Sequence, residues 1–265
     1  MWWYSGGRSL FFMTPNLPSF NAHAVQPVEC LKEGWALIKN RYWLYVGVTL
    51  VGLLIGGLVP LGILMGPMMC GIYLMLLQEM RGRPTEFSTL FKGFDYFIES
   101  LIATLIQFIP VFVLLVPFYA IFGIGMASFI SHQQKAGGQP STAFMATFSA
   151  GMALFVVFAI IIGIAIGVLF SFSYPLIVDR RLTGLQAIQA SFKAALANFW
   201  SLVGLLLLNG LLGLAGAFCC YIGTFLVTPI IFAALACAYR QVFGLAPDPS
   251  APPPYPPANP GTIPP

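Results

Sequence analysis

The sequence predicts an all-α, polytopic membrane protein with about six transmembrane helices and three amphipathic helices lying along the cytoplasmic face. Three observations lead there. Hydrophobic residues fill 58% of the 265 positions and charged residues only 8%, where a soluble domain carries about 25% charged residues. Six apolar runs approach the roughly 20 residues that a helix needs to cross a ~30 Å hydrocarbon core. The basic residues, finally, gather on alternate connections between those runs.

The runs fall at about 44–60, 62–80, 101–129, 144–175, 201–217 and 219–239. Tight, uncharged turns at 60–66 and 217–223 join the first to the second and the fifth to the sixth. The first pair also reads as one broken helix, which would leave five spans. Residues 1–27 form an N-terminal cytoplasmic segment, 28–246 the membrane domain and 247–265 a proline-rich tail. The opening MWWYSGGRSLFFMTPNLP lacks a basic start and a compact apolar stretch, so no cleaved signal peptide is expected.

Orientation follows from lysine and arginine, which remain on the cytoplasmic side. Arg8, Lys32, Lys39 and Arg41 precede the first span, and Arg81, Arg83 and Lys92 follow the second. Arg180, Arg181 and Lys193 follow the fourth, and Arg240 closes the sixth. Only Lys135 falls opposite, so eleven of twelve basic residues agree on one topology with both termini cytoplasmic. Arg81, Arg83, Arg180, Arg181, Lys193 and Arg240 are thereby expected to set topology and to meet anionic headgroups.

Before each odd-numbered span lies an amphipathic stretch. Leu31, Trp35, Ile38 and Tyr42 form one apolar stripe, opposed by Glu29, Lys32, Glu33 and Lys39. Phe87, Leu90, Phe91, Phe94 and Ile98 form a second. Leu185, Ile188, Phe192, Leu196 and Phe199 form a third, opposed by Gln186, Gln189 and Lys193, with Thr183 placed to cap its start. Such helices lie in the interface, and the pattern predicts three units of interfacial helix plus transmembrane hairpin. The first and third units align without gaps at an offset of 157, matching Trp35 with Phe192, Trp43 with Trp200 and Arg83 with Arg240. Both start from the same side, so the repeat is parallel.

The segment AIQASFKAALANFW (187–200), with SYPLIVDRRLTG before it, resembles uncharacterised bacterial multi-pass proteins, among them the membrane domain fused to some glycerophosphodiester phosphodiesterases. The stretch 66–94, with its arginine-glycine turn before a phenylalanine-rich helix, resembles them too. The resemblance spans about 30–240 and implies a helical domain of the bacterial inner membrane. It carries no phosphodiesterase activity, because no such catalytic domain is present.

Chemistry is sparse. Cys30, Cys70, Cys219, Cys220 and Cys237 show no ligand spacing, and His23 and His132 stand far apart, so no metal or other cofactor is expected. The carboxylates Asp95 and Glu99 share a helix face, which a water-facing surface explains more simply than acid–base work. No nucleotide loop or nucleophile–base grouping is present, and no nucleic-acid partner is expected. Uncharged polar residues inside spans, chiefly Asn209, Gln107 and Thr228, are candidates for a solute pathway or for bonds between helices. Pro67, Pro110, Pro117, Pro175 and Pro229 are expected to kink or break helices. In the tail, PPPY (252–255) fits a WW-domain ligand through Pro252, Pro253 and Tyr255, although an unpartnered disordered linker is the default. The leading expectation is a non-enzymatic membrane protein that scaffolds or regulates partners or organises lipid. The alternative is a small-solute or lipid transporter using the proline-broken helices.

Overall fold

A computed structural model describes residues 17–58, 62–136, 142–218 and 222–247. Arg8, Cys219, Cys220 and the PPPY stretch lie outside the described residues, as do the side chains of His132 and Lys135. Among the described residues the chain is helical without strands. The helices are α1 (Pro27–Ile38), α2 (Tyr42–Leu58), α3 (Met65–Met80), α4 (Phe97–Ala136), α5 (Thr142–Phe170), α6 (Ser173–Arg180), α7 (Gly184–Ala197), α8 (Phe199–Phe218) and α9 (Ile222–Phe243). Short 3₁₀ segments occupy Lys39–Arg41 and Phe87–Tyr96.

Among the described residues, five helical runs are long and apolar enough to cross a membrane: Pro27–Leu58, Phe87–Ser131, Met145–Arg180, Phe199–Phe218 and Ile222–Phe243. The run expected at 62–80 differs from these. It becomes α3, 16 residues long, and Gly66 through Cys70 and Gly71 through Leu77 lie mostly buried inside the protein. A helix wrapped by its neighbours needs neither the length nor the all-round apolarity of one that faces lipid.

The internal repeat is visible in where helices begin. Helices α1, α2 and α3 start at residues 27, 42 and 65, and α7, α8 and α9 start at 184, 199 and 222, each pair 157 apart. Between these two triplets lies a middle unit made of the 3₁₀ segment Phe87–Tyr96, α4, and the broken helix α5–α6. The returning helix of each unit packs on the leading element of the next: α3 on the 3₁₀ segment, α5 and α6 on α7, and α9 back on α1.

Small residues make those contacts close. A Cβ added to Gly34 of α1 would lie 2.7 Å from the backbone nitrogen of Ala234 in α9. Gly93 meets the backbone of Pro67 and Gly71 in the same way. On α7 the buried face is Gly184, Ala187, Ala190, Ser191, Ala194 and Ala195. Close approach through small side chains is how membrane helices gain dispersion contacts where lipid removes the hydrophobic drive.

Most large side chains of the amphipathic stripes lie on the outer surface: Trp35, Phe87, Phe91, Phe94, Ile98, Leu185, Phe192 and Leu196 are exposed, whereas Ile38 and Leu90 are buried. The middle stretch is also 3₁₀ rather than α. Three residues per turn stack Leu90 and Gly93 in one buried row and set Phe91 and Phe94 in an exposed one.

Thr183 caps α7 as expected. Its hydroxyl accepts from the Gln186 N–H, and the Gln186 side chain accepts from the Thr183 N–H, forming a capping box. Of the prolines, Pro175 has the clearest effect. Its ring crowds the carbonyl four residues earlier, and the helix breaks there, between Phe170 and Ser173. Helix α7 repairs the break: the Ser191 hydroxyl donates to the Leu169 carbonyl at 2.7 Å and accepts from the Phe172 N–H at 3.2 Å.

Candidate functional site

Charged side chains converge at one end of the molecule, where α3, α6 and α9 finish. Asp179, with a fully buried side chain, pairs with Arg81, whose side chain is 16% exposed. The same carboxylate accepts from the Tyr239 hydroxyl at 2.7 Å and from the Ala246 N–H at 2.9 Å. Arg81 also donates to the Ala246 carbonyl at 3.2 Å. Arg180 donates to the Phe243 carbonyl at 2.6 Å and lies over the Phe243 ring at 5.9 Å. A buried charge must be paired and hydrogen-bonded, and here three helix ends plus the chain leaving α9 supply the partners. The result is a structural clasp: three donors occupy the carboxylate, which therefore serves as an organising anion.

Around the clasp, each leading element ties down the link that precedes the next one. Arg41, after α1, donates to the Thr85 carbonyl at 3.0 Å, ahead of the 3₁₀ segment. Glu99, after that segment, accepts from the Gly184 N–H at 2.6 Å, at the start of α7. Asn198, after α7, accepts from the Ala24 N–H at 2.9 Å and donates to the Asn21 carbonyl at 3.1 Å, ahead of α1. Arg41 and Asn198 are themselves 157 apart. Glu99 thus neutralises a positive helix start, whereas Asp95, its partner in the expected carboxylate pair, is exposed.

The remaining basic residues divide between clasp and rim. Arg240 forms an ion pair with Glu33 at 2.8 Å, half-exposed on both sides. Arg83 is partly exposed. Arg181 and Lys193 are exposed, as are Lys32, Lys39 and Lys92. Arg181 sits at φ 51°, the left-handed cap that ends α6. Beside these cations stand the outward aromatic faces, with Trp43 75% and Trp200 82% exposed at equivalent positions of the repeat.

The interior polar candidates separate. Gln107 lines a cavity of about 360 Å³ bounded by α3, α4, α5, α6, α8 and α9. Asn209 and Thr228 do not line it. Asn209 is buried with neither side-chain atom hydrogen-bonded to a described residue, and Thr228 returns its hydroxyl to the Thr224 carbonyl at 2.7 Å within its own helix. Cys30, Cys70 and Cys237 are buried free thiols, and among the described residues no group of three or more His, Cys, Asp or Glu side chains is arranged to hold a metal.

Tyr239 and Ser191 escaped the sequence reading. Each sits in an apolar or alanine-rich helix, where a hydroxyl reads as incidental, and only the packing of distant segments reveals its partners. No protein-family model, curated protein or solved structure matches the chain. The long apolar helices make it an integral membrane protein.

Proposed function

We propose that this chain is a non-enzymatic protein of the bacterial inner membrane that organises anionic lipid around its cytoplasmic rim. It crosses the membrane six times with both ends in the cytoplasm. The observation that carries the lipid reading is the pairing of outward aromatic residues with exposed cations on all three leading elements. Trp35 lies near Lys32 and Lys39, Phe91 beside Lys92, and Phe192 beside Lys193. An apolar face with cations at its edge suits the headgroup boundary, where each cation contributes about 1 kcal/mol against an anionic leaflet.

Parity supports six crossings. Asn21 donates its N–H to the Val242 carbonyl at 2.8 Å, so the start and finish of the helical body share one end. An even number of crossings fits that arrangement, with α3 as the return that joins the five long runs.

A test is the lipid that accompanies the protein through gentle detergent extraction. The wild type should carry anionic lipid enriched several-fold over its membrane of origin. Replacing Lys32, Lys39, Lys92, Arg181 and Lys193 by Gln should remove the enrichment while the protein still inserts. Enrichment that survives all five replacements would defeat the proposal. A protein partner recruited by the tail would fit the same role and should be lost when residues 248–265 are deleted. The alternative, transport of a small solute or lipid, has in its favour the Pro175-linked break beside the cavity; it requires flux into liposomes.

A further inference from the structure

The 360 Å³ cavity lies where all three units meet and is walled mainly by apolar side chains, with no Asp, Glu, Lys, Arg or His among the described residues that line it. Its polar groups are few and specific. The Tyr174 hydroxyl lies 3.0 Å from Thr104 Oγ1 and 3.3 Å from the amide of Gln107, and Thr104 donates to the Ser100 carbonyl at 2.7 Å. Tyr73, only 3% exposed and packed edge-on against Phe232, also lines the cavity. Its hydroxyl makes no hydrogen bond with a described residue.

Hydrogen counting says more. Three contacts link Ser100, Thr104, Tyr174 and Gln107, yet the two hydroxyls supply two hydrogens. The single hydrogen of Tyr174 is therefore shared between Thr104 and the Gln107 carbonyl. The Gln107 NH₂ is left as an unused donor, and Tyr73 as another. Both residues line the cavity, and a donor facing an apolar space gains from a partner there, so the pair is suited to a ligand with one hydrogen-bonding head.

We infer that the cavity binds a neutral, single-chain amphiphile whose hydroxyl oxygen accepts from the Gln107 NH₂ and from Tyr73. The absence of lining charge excludes an ionised head from favourable pairing. The volume falls at the small end of ligand cavities, equal to about twelve waters at ~30 Å³ each, and so admits one chain segment and excludes a two-chain phospholipid. This site is separate from the cationic rim, and its failure would leave the rim proposal standing.

The probe is a hexadecanol carrying a diazirine, photolysed with the full-length protein in liposomes. Adducts should map to the stretches around Met65–Tyr73 and Thr104–Val111, and unlabelled hexadecanol should compete at least ten times better than hexadecyl sulfate. Tyr73→Phe and Gln107→Leu should each weaken labelling by about 3–10-fold, the worth of one neutral hydrogen bond, with the rim's anionic-lipid enrichment unchanged. Adducts confined to the outer surface of α4 and α5, or equal competition by the sulfate, would overturn the inference. Both of those readouts use the wild type and stand even if a variant misfolds.

Discussion

The clasped end of the molecule and the far half of the α4–α5 hairpin are built from the same apolar alphabet and behave as opposites. At the clasped end, α9 buries 44% of its most apolar stretch, and side chains from four or more segments meet. In the runs containing α4 and α5 the corresponding shares are 11% and 6%. Packing of Gly167 on Leu206 marks where the hairpin leaves the bundle. From that contact to its free end, α5 continues for about 38 Å, and α8 for only about 18 Å, at 1.5 Å per residue. The difference shows what burial requires here. The clasped end uses Gly, Ala and Ser to bring backbones together and polar groups to lock them, while the hairpin carries bulky Phe, Ile and Val facing outward on all sides. Phe118 stacks on Phe155 across the hairpin at 3.6 Å, its closest internal aromatic contact among the described residues. A hairpin of this length exceeds a ~30 Å core, an excess that tilting or kinking takes up.

Breaking the clasp should have the largest effect. Asp179→Ala leaves the Arg81 guanidinium buried without its carboxylate, a loss of about 3–5 kcal/mol, to be read as a large drop in the thermal transition of the detergent-solubilised protein. Next comes the repaired break. Ser191→Ala strands the Leu169 carbonyl and the Phe172 N–H, at a cost of about 1–3 kcal/mol, and amide exchange at Phe172 should quicken in step. The smallest effect belongs to the hairpin: Ile160→Ala, at a site 56% exposed, should shift the transition by no more than about 0.5 kcal/mol. If Ile160→Ala proved as damaging as Ser191→Ala, the hairpin would be a packed region and the contrast would collapse.

Much of this was legible in the sequence because it rests on periodicity and charge. The Thr183 cap and the apolar runs each depend on neighbours within one segment, and the 157-residue repeat on the comparison of two segments without gaps. The inward face of α1 was legible only in part: Ile38 belongs to the apolar stripe, but Cys30 and Gly34 carry little hydrophobic signal beside Leu31 and Trp35. In a bilayer large residues can face lipid while small ones meet other helices, so hydrophobicity marks the packed face poorly. The clasp stayed hidden for another reason: Arg81, Asp179, Tyr239 and Ala246 are brought together by three separate helix ends.

The proposed topology places both ends of the helical body on one side of the membrane. The direct measurement is labelling by a membrane-impermeant maleimide of single cysteines at Ala22, Thr142 and Pro247, in a chain whose five native cysteines are replaced by alanine. Thr142→Cys should react in intact cells, and Ala22→Cys and Pro247→Cys only after the cells are opened. Labelling of Ala22→Cys and Pro247→Cys from opposite sides would contradict that topology.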